Sequence, residues 1–178
     1  MRNKLSLLSL LFVVLIGYSQ DSYKLSEESV LTISGTSTMH DWTVAASGMQ
    51  GSMSYGKKIV NLALKVPVSN IKSERGAAMD KKMHGALKSE QHPEISFNFK
   101  DITENSSVAI NGGLTIAGVE QVVGLPSKIT AMDKGHRIQG EYKITLQDYG
   151  MKAPTAMFGQ IVVGDTVTVK YDLVFVKE

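Results

Sequence analysis

From Val30 onward the apolar residues of this chain recur at every second position, and that period constrains the fold more than any other feature. Successive side chains on a β-strand point to opposite faces, so a period of two buries one face and wets the other. In residues 58–68, Val60, Leu62, Leu64, Val66 and Val68 share a face. In 94–100, Ile95, Phe97 and Phe99 do so, while Glu94, Ser96, Asn98 and Lys100 point the other way. The pattern returns in Val108, Ile110, Leu114 and Ile116, in Ile138, Tyr142, Ile144 and Leu146, and in Val167, Val169, Tyr171, Leu173 and Phe175. A parallel sheet covered on both faces would read as continuous apolar runs, so antiparallel strands are expected.

Hairpin punctuation separates the runs at Ser54-Tyr55-Gly56-Lys57, Gly118-Val119-Glu120-Gln121 and Asp133-Lys134-Gly135. The strands expected are 30–35, 42–53, 58–68, 94–103, 107–117, 122–132, 136–147 and 165–177, and eight strands suffice to close a barrel. A two-sheet sandwich explains the same alternation. Gly48, Gly51, Gly112, Gly113 and Gly140 fall inside strands, where a closed sheet needs bends and bulges. One segment departs from the pattern: in 76–89, Met79, Met83, Ala86 and Leu87 recur at helical spacing until His92-Pro93 stops the run. An amphipathic helix is therefore expected between the third and fourth strands, its Met79, Met83 and Leu87 stripe packed across a barrel mouth or flank.

The chain has 178 residues, 43% of them hydrophobic, enough for one core and one domain. With no cysteine, disulfides, thiolate metal sites, thiol catalysis and a lipidated cysteine are all excluded. Met1 to Lys4 carries two positive charges, and Leu5 to Ile16 is a twelve-residue apolar run followed by small residues, the layout of a secretory leader. The run is shorter than the roughly 20 apolar residues a membrane span needs. The expected organisation is a signal peptide over 1–20, cleaved after Ser19 or Gln20, and one domain over 21–178. Without Arg2 and Lys4 the 19 basic residues become 17, equal to the 17 acidic ones, so no excess charge favours nucleic acid. The expectation is an exported protein, periplasmic or secreted, with no stable membrane anchor.

Several short motifs, in order, resemble the YceI-like family of exported lipid-binding barrels. Leu87-Lys88-Ser89 followed by His92-Pro93-Glu94-Ile95-Ser96-Phe97 is similar to that family's passage from helix to strand. Gly112-Gly113-Leu114-Thr115-Ile116-Ala117-Gly118-Val119 is similar to its Gly-x-Leu-Thr-Ile-x-Gly-Val hairpin, with Leu125-Pro126 in the strand that follows. Asp148-Tyr149-Gly150-Met151 and Gly164-Asp165-Thr166-Val167 resemble its closing loop and last strand. Leu146 and Gln147 stand where much of the family carries an Asn-Arg pair, and Thr38-Met39-His40-Asp41-Trp42 marks a divergent first hairpin. The resemblance implies an all-β, eight-stranded antiparallel, lipocalin-like barrel whose lumen holds a long isoprenoid or similar lipid. With each apolar face turned inward, Val44, Leu62, Leu64, Phe97, Ile110, Leu114, Tyr142, Ile144, Tyr171 and Leu173 are the expected ligand-binding residues.

Other chemistry is weakly signalled. His40, His84, His92 and His136 show no ligand spacing, so no metal and no cofactor is expected. His40-Asp41 is the partial exception, because an aspartate beside a histidine can orient its imidazole, although Asp41 also suits a turn. No Gly-x-Ser-x-Gly elbow is present, and Asn105-Ser106-Ser107 matches a glycosylation sequon. A non-enzymatic lipid carrier or reservoir is the expected function; the alternatives are a structural envelope protein without ligand and a small hydrolase using His40 and Asp41. The mature chain is expected to begin at Gln20 or Asp21, which intact-mass spectrometry of protein recovered from expressing cells checks.

Overall fold

A computed structural model describes residues 20–104 and 107–178 of the chain. Residues 1–19 of the expected leader, and Asn105 and Ser106 of the sequon, lie outside the described residues. The strand segments are β1 (Asp21–Leu25), β2 (Val30–Ser37), β3 (Trp42–Ala46), β4 (Gln50–Tyr55), β5 (Ile59–Pro67), β6 (Ile71–Ser73), β7 (Glu94–Glu104), β8 (Val108–Ile116), β9 (Val119–Met132), β10 (Gly135–Thr145), β11 (Thr155–Ala156) and β12 (Ile161–Lys177). Among the described residues one α-helix, α1 (Ala77–Ala86), lies between β6 and β7. The neighbours run β1-β4-β5-β7-β8-β9-β10-β12, and β1 pairs back onto β12, closing an eight-stranded antiparallel barrel.

The strand β12 makes that closure. One edge pairs with β10 from Thr166 to Val176. The other edge takes β2 along Val163 to Asp172 and then β1 along Phe175 to Lys177. Every edge of the circuit thereby finds a partner, which removes the exposed donors and acceptors of an open sheet. On the outer face Lys170 and Glu141 stand 3.5 Å apart, and Arg137 and Asp172 2.5 Å apart, as the expected wet side requires.

The segments β1 and β2 lie end to end along β12, β3 and β4 lie end to end beside them, and β5 and β6 complete a third such pair. The three breaks fall at one level, at residues 26–29, 47–49 and 68–70. The continuous strand expected over 42–53 is therefore two. At its break Gly48 adopts φ +61°, and a Cβ there would fall 2.5 Å from the Asn70 side chain, so the turn needs glycine. The third break is a 3₁₀ turn at Val68–Asn70, and Ser47 donates to the Asn70 carbonyl across it at 3.2 Å. Val60, expected on the inner face, is exposed because the register shifts between Ser54 and Tyr55.

The helix consequently follows β6, and does not directly follow the strand expected over 58–68. Its position has a physical reason. The strand β6 ends the β2-β3-β6 flap with a free edge, and α1 satisfies that edge with side chains. Ser73 N–H donates to Asp80 Oδ1 at 2.8 Å, and His84 Nε2 donates to the Ile71 carbonyl at 2.9 Å. Asp80 is buried by this role, with Lys72 3.7 Å away.

The β8–β9 turn is tighter than expected, a two-residue Ala117-Gly118 turn with φ 50° and 82°, as the twist of a hairpin favours. The strand β9 therefore begins at Val119, not Val122. The ends of β1, β4, β5, β10 and β12 pack Tyr23, Met53, Ile59, His136 and Phe175 into a solid base. His136 stacks on Tyr55 at 3.8 Å and meets Tyr23 edge-on at 5.2 Å. Burial lowers the His136 pKa below 6.5, and its Nδ1 has no partner among the described residues. Because the folded state disfavours the imidazolium, the His136 contribution is full above about pH 6.5 and is lost as pH falls through its lowered value. Thermal melts from pH 7 to 5 should show a smaller fall in Tm for His136→Phe than for the unmodified protein.

Candidate functional site: a blind apolar lumen

Above the base the barrel encloses a cavity of about 280 Å³. All ten residues expected from the inward apolar faces, Val44, Leu62, Leu64, Phe97, Ile110, Leu114, Tyr142, Ile144, Tyr171 and Leu173, line it. The helix adds Met79, Met83, Ala86 and Leu87, the stripe read from its spacing. Met53, Ile59 and Phe175, at 2%, 1% and 0% exposure, seal the far end beyond the lining. The near end opens between the β2–β3 turn, α1 and the 151–163 segment.

Three large aromatic rings belong to this wall, yet the lumen stays open because each lies flat over a glycine. Trp42 stands opposite Gly35 in register, and a Cβ at Gly35 would fall 2.4 Å from its ring. A Cβ at Gly112 would meet the Phe97 ring at the same 2.4 Å. Tyr171 stands opposite Gly140, and its ring crosses β10 to reach β9. There its hydroxyl donates to the Pro126 carbonyl at 2.8 Å and lies 3.0 Å from Ser127 Oγ. Burial raises the Tyr171 pKa, so the phenol stays neutral in the wall. Trp42 is held by Nε1 donating to the Thr36 carbonyl at 3.1 Å.

A second cluster, Ile116, Ala117, Ile144, Tyr149, Met151 and Val167, has Leu87 and Trp42 packed against it. The Tyr149 hydroxyl is buried without a partner among the described residues, and burial pushes its pKa up to about 12. His40 lines the mouth, but its Nε2 meets Arg75 Nη1 and its Nδ1 has no partner among the described residues. Asp41 is not brought against the imidazole, so the arrangement that a His-Asp hydrolase requires is not assembled. The four histidines stand apart, at the mouth, on α1, beside the β8–β9 turn and in the base. Among the described residues no cluster of three His, Asp or Glu side chains could hold a metal, and no helix is long and apolar enough to cross a membrane.

The comparisons with known proteins agree with this geometry. The family model of the YceI-like domain matches residues 23–175. The chain belongs to the YceI-like family. Among solved structures, a polyisoprenoid binding domain from Saccharophagus degradans, implicated in plant cell wall breakdown, is similar with a TM-score of 0.73 and 12% identity. The match covers 90% of this chain and 100% of that one. BcnA of Burkholderia cenocepacia has a TM-score of 0.70 and 16% identity over 82% of this chain and 95% of its own. The YceI protein of Campylobacter jejuni has 0.62 and 18%, over 75% and 82%. These likenesses are of fold. Comparison with curated protein sequences gives no match.

Sequence reasoning located the lining of this YceI-like barrel and missed its rim. Arg75, Lys82 and Lys152 also line the cavity. Lys82 falls on the helical face of Met79, Met83 and Ala86, a periodicity visible in the sequence had basic residues been counted with the methionines, while Arg75 stands just before the Gly76 cap of α1. The base was missed because β1 is short and His136 reads as a turn residue. Gly35→Ala should push the Trp42 indole off the wall. A cost of about 1–3 kcal/mol is expected for such overpacking. The check is a lower Tm together with a shifted emission from this single tryptophan.

Proposed function

We propose that this protein is an exported carrier or reservoir that holds the tail of a long-chain lipid, an isoprenoid or similar, in its lumen. The observation that carries the reading is the blind apolar cavity of about 280 Å³, lined by all ten inward residues and open at one end. It lies at the lower edge of the roughly 300–1,000 Å³ typical of ligand pockets, which suits one slim chain. Each methylene taken from water contributes about 0.8 kcal/mol, so ten enclosed carbons supply roughly 8 kcal/mol before ordering costs reduce it. Burial of this kind reads length and girth rather than chemistry. The polyisoprenoid-binding domain among the structural relatives supports the same ligand class.

Export, to the periplasm or beyond, rests on the basic and apolar pattern of residues 1–19, and the mature domain on this reading is 21–178. A binding role is favoured over hydrolysis because His40 engages Arg75 and not Asp41.

Native mass spectrometry of the purified protein tests the reading: copurified lipid is the expected result, and a lumen that stays empty when chains are offered would overturn it. Replacing Leu64 or Ile144 by Trp should lower the retained lipid more than it lowers Tm. A folded Ile144→Trp variant with undiminished lipid would place the chain elsewhere.

A further inference from the structure

Five of the large apolar side chains left in water, Met39, Met79, Met157, Phe158 and Val162, gather around the open end of the barrel. Met39 lies in the β2–β3 turn between Ser37 and His40, which line the mouth, and Val162 lies between the lining residues Ile161 and Val163. Met79 belongs to the lining itself. Met157 and Phe158 project from the segment that forms the third side of the opening.

That segment is built to hold them out. Thr155 and Ala156 of β11 pair with Val162 and Ile161 at the start of β12, a small hairpin whose tip is 157–160. Met157, Phe158 and Gly159 adopt φ of 51°, 54° and 89° in succession. Two adjacent bulky residues in the left-handed region are uncommon backbone, and no packing offsets it, because Phe158 is fully exposed. The hairpin is tied to the β2–β3 turn: Thr38 N–H donates to the Val162 carbonyl at 3.0 Å, and Thr38 Oγ1 donates to the Gln160 carbonyl at 3.2 Å. Met39, Met157 and Phe158 therefore stand on one hydrogen-bonded rim.

The form and charge of this rim select its occupant. Single side chains on a convex tip offer a rigid protein surface little complementary area, whereas a fluid lipid interface closes around them. The charged residues lining the mouth are Arg75, Lys82 and Lys152, all basic, and among the described residues none of them is in an ion pair. Basic side chains beside an apolar tip are drawn to the surface potential of an anionic leaflet.

We propose that the mouth face is a docking surface for an anionic lipid bilayer, with Phe158, Met157 and Met39 inserted at the boundary between headgroups and acyl chains. Docking is reversible, since a few side chains enter and no chain crosses. This goes beyond the lumen-binding reading, because it sets the orientation in which the single opening meets a membrane. A lipid tail then passes between bilayer and lumen without crossing water.

The test sediments protein recovered from expressing cells with vesicles of phosphatidylcholine alone and of phosphatidylcholine mixed equally with phosphatidylglycerol. Intact mass confirms the same N-terminus in every variant. Binding to the mixed vesicles is expected, weaker at high ionic strength and weaker to phosphatidylcholine alone. Met157→Ser/Phe158→Ser should weaken it about tenfold at unchanged Tm. Met132→Ser, at an exposed methionine of the β9–β10 turn beside the base, should leave it as it was. In Phe158→Trp, vesicles should shift the emission to shorter wavelength beyond any change seen from Trp42 in the unmodified protein. Absence of binding to the mixed vesicles, or binding that the double variant retains or that Met132→Ser weakens equally, overturns docking through this face. A dimer in sedimentation velocity that the double variant dissociates assigns the patch to a second copy and overturns it as well. Native mass spectrometry keeps the two readings apart: vesicle binding by a protein that holds no lipid leaves the docking face and removes the lumen reading alone, and lipid held by a protein that ignores vesicles does the reverse.

Discussion

Closure of the sheet through β12 is the constraint on which the rest of the molecule depends. Its 17 residues are paired on one edge by β10 and on the other by β2 and β1 in succession. A curved sheet with an open edge would expose unpaired backbone groups and could not hold an apolar interior away from water. Once the circuit is complete, every inward side chain must face every other across one lumen. The contents of that lumen then follow from residue size alone.

Size is where the glycines enter. An eight-stranded barrel is narrow enough for its own side chains to fill it, and the base, with Tyr23, Met53, Ile59, His136 and Phe175, shows that outcome. Higher up, Trp42, Phe97 and Tyr171 would do the same if they stood upright. Instead each lies over Gly35, Gly112 or Gly140, so bulky rings become wall. The same barrel is thus a packed core at one end and a cavity at the other. What divides them is the placement of three glycines.

The sequence carried much of this openly. Alternation named the inner faces, so the ten lining residues were legible in the sequence, and the spacing of Met79, Met83 and Leu87 read as a helix stripe packed across a barrel mouth or flank. Other features were hidden because they depend on register, which alternation does not specify. The break at Gly48 needed Asn70 as its neighbour across the barrel. Val60 looked inward until a register shift turned it out. The location of α1 followed from the free edge of β6, and Asp80 and His84, which satisfy that edge, look in sequence like an ordinary solvated helix face. His40 and Asp41 are adjacent in sequence, yet the β2–β3 turn brings His40 against Arg75.

The sealed base has a kinetic meaning. With Met53, Ile59 and Phe175 closing one end, a linear guest has a single doorway, so it must back out along the path by which it came. Each methylene drawn into the tube then adds about 0.8 kcal/mol to the work of withdrawal, or roughly a fourfold longer residence per carbon. Dwell time in such a barrel becomes a steep function of chain length: two guests differing by a few carbons would leave on timescales orders of magnitude apart, sorted by a dead end.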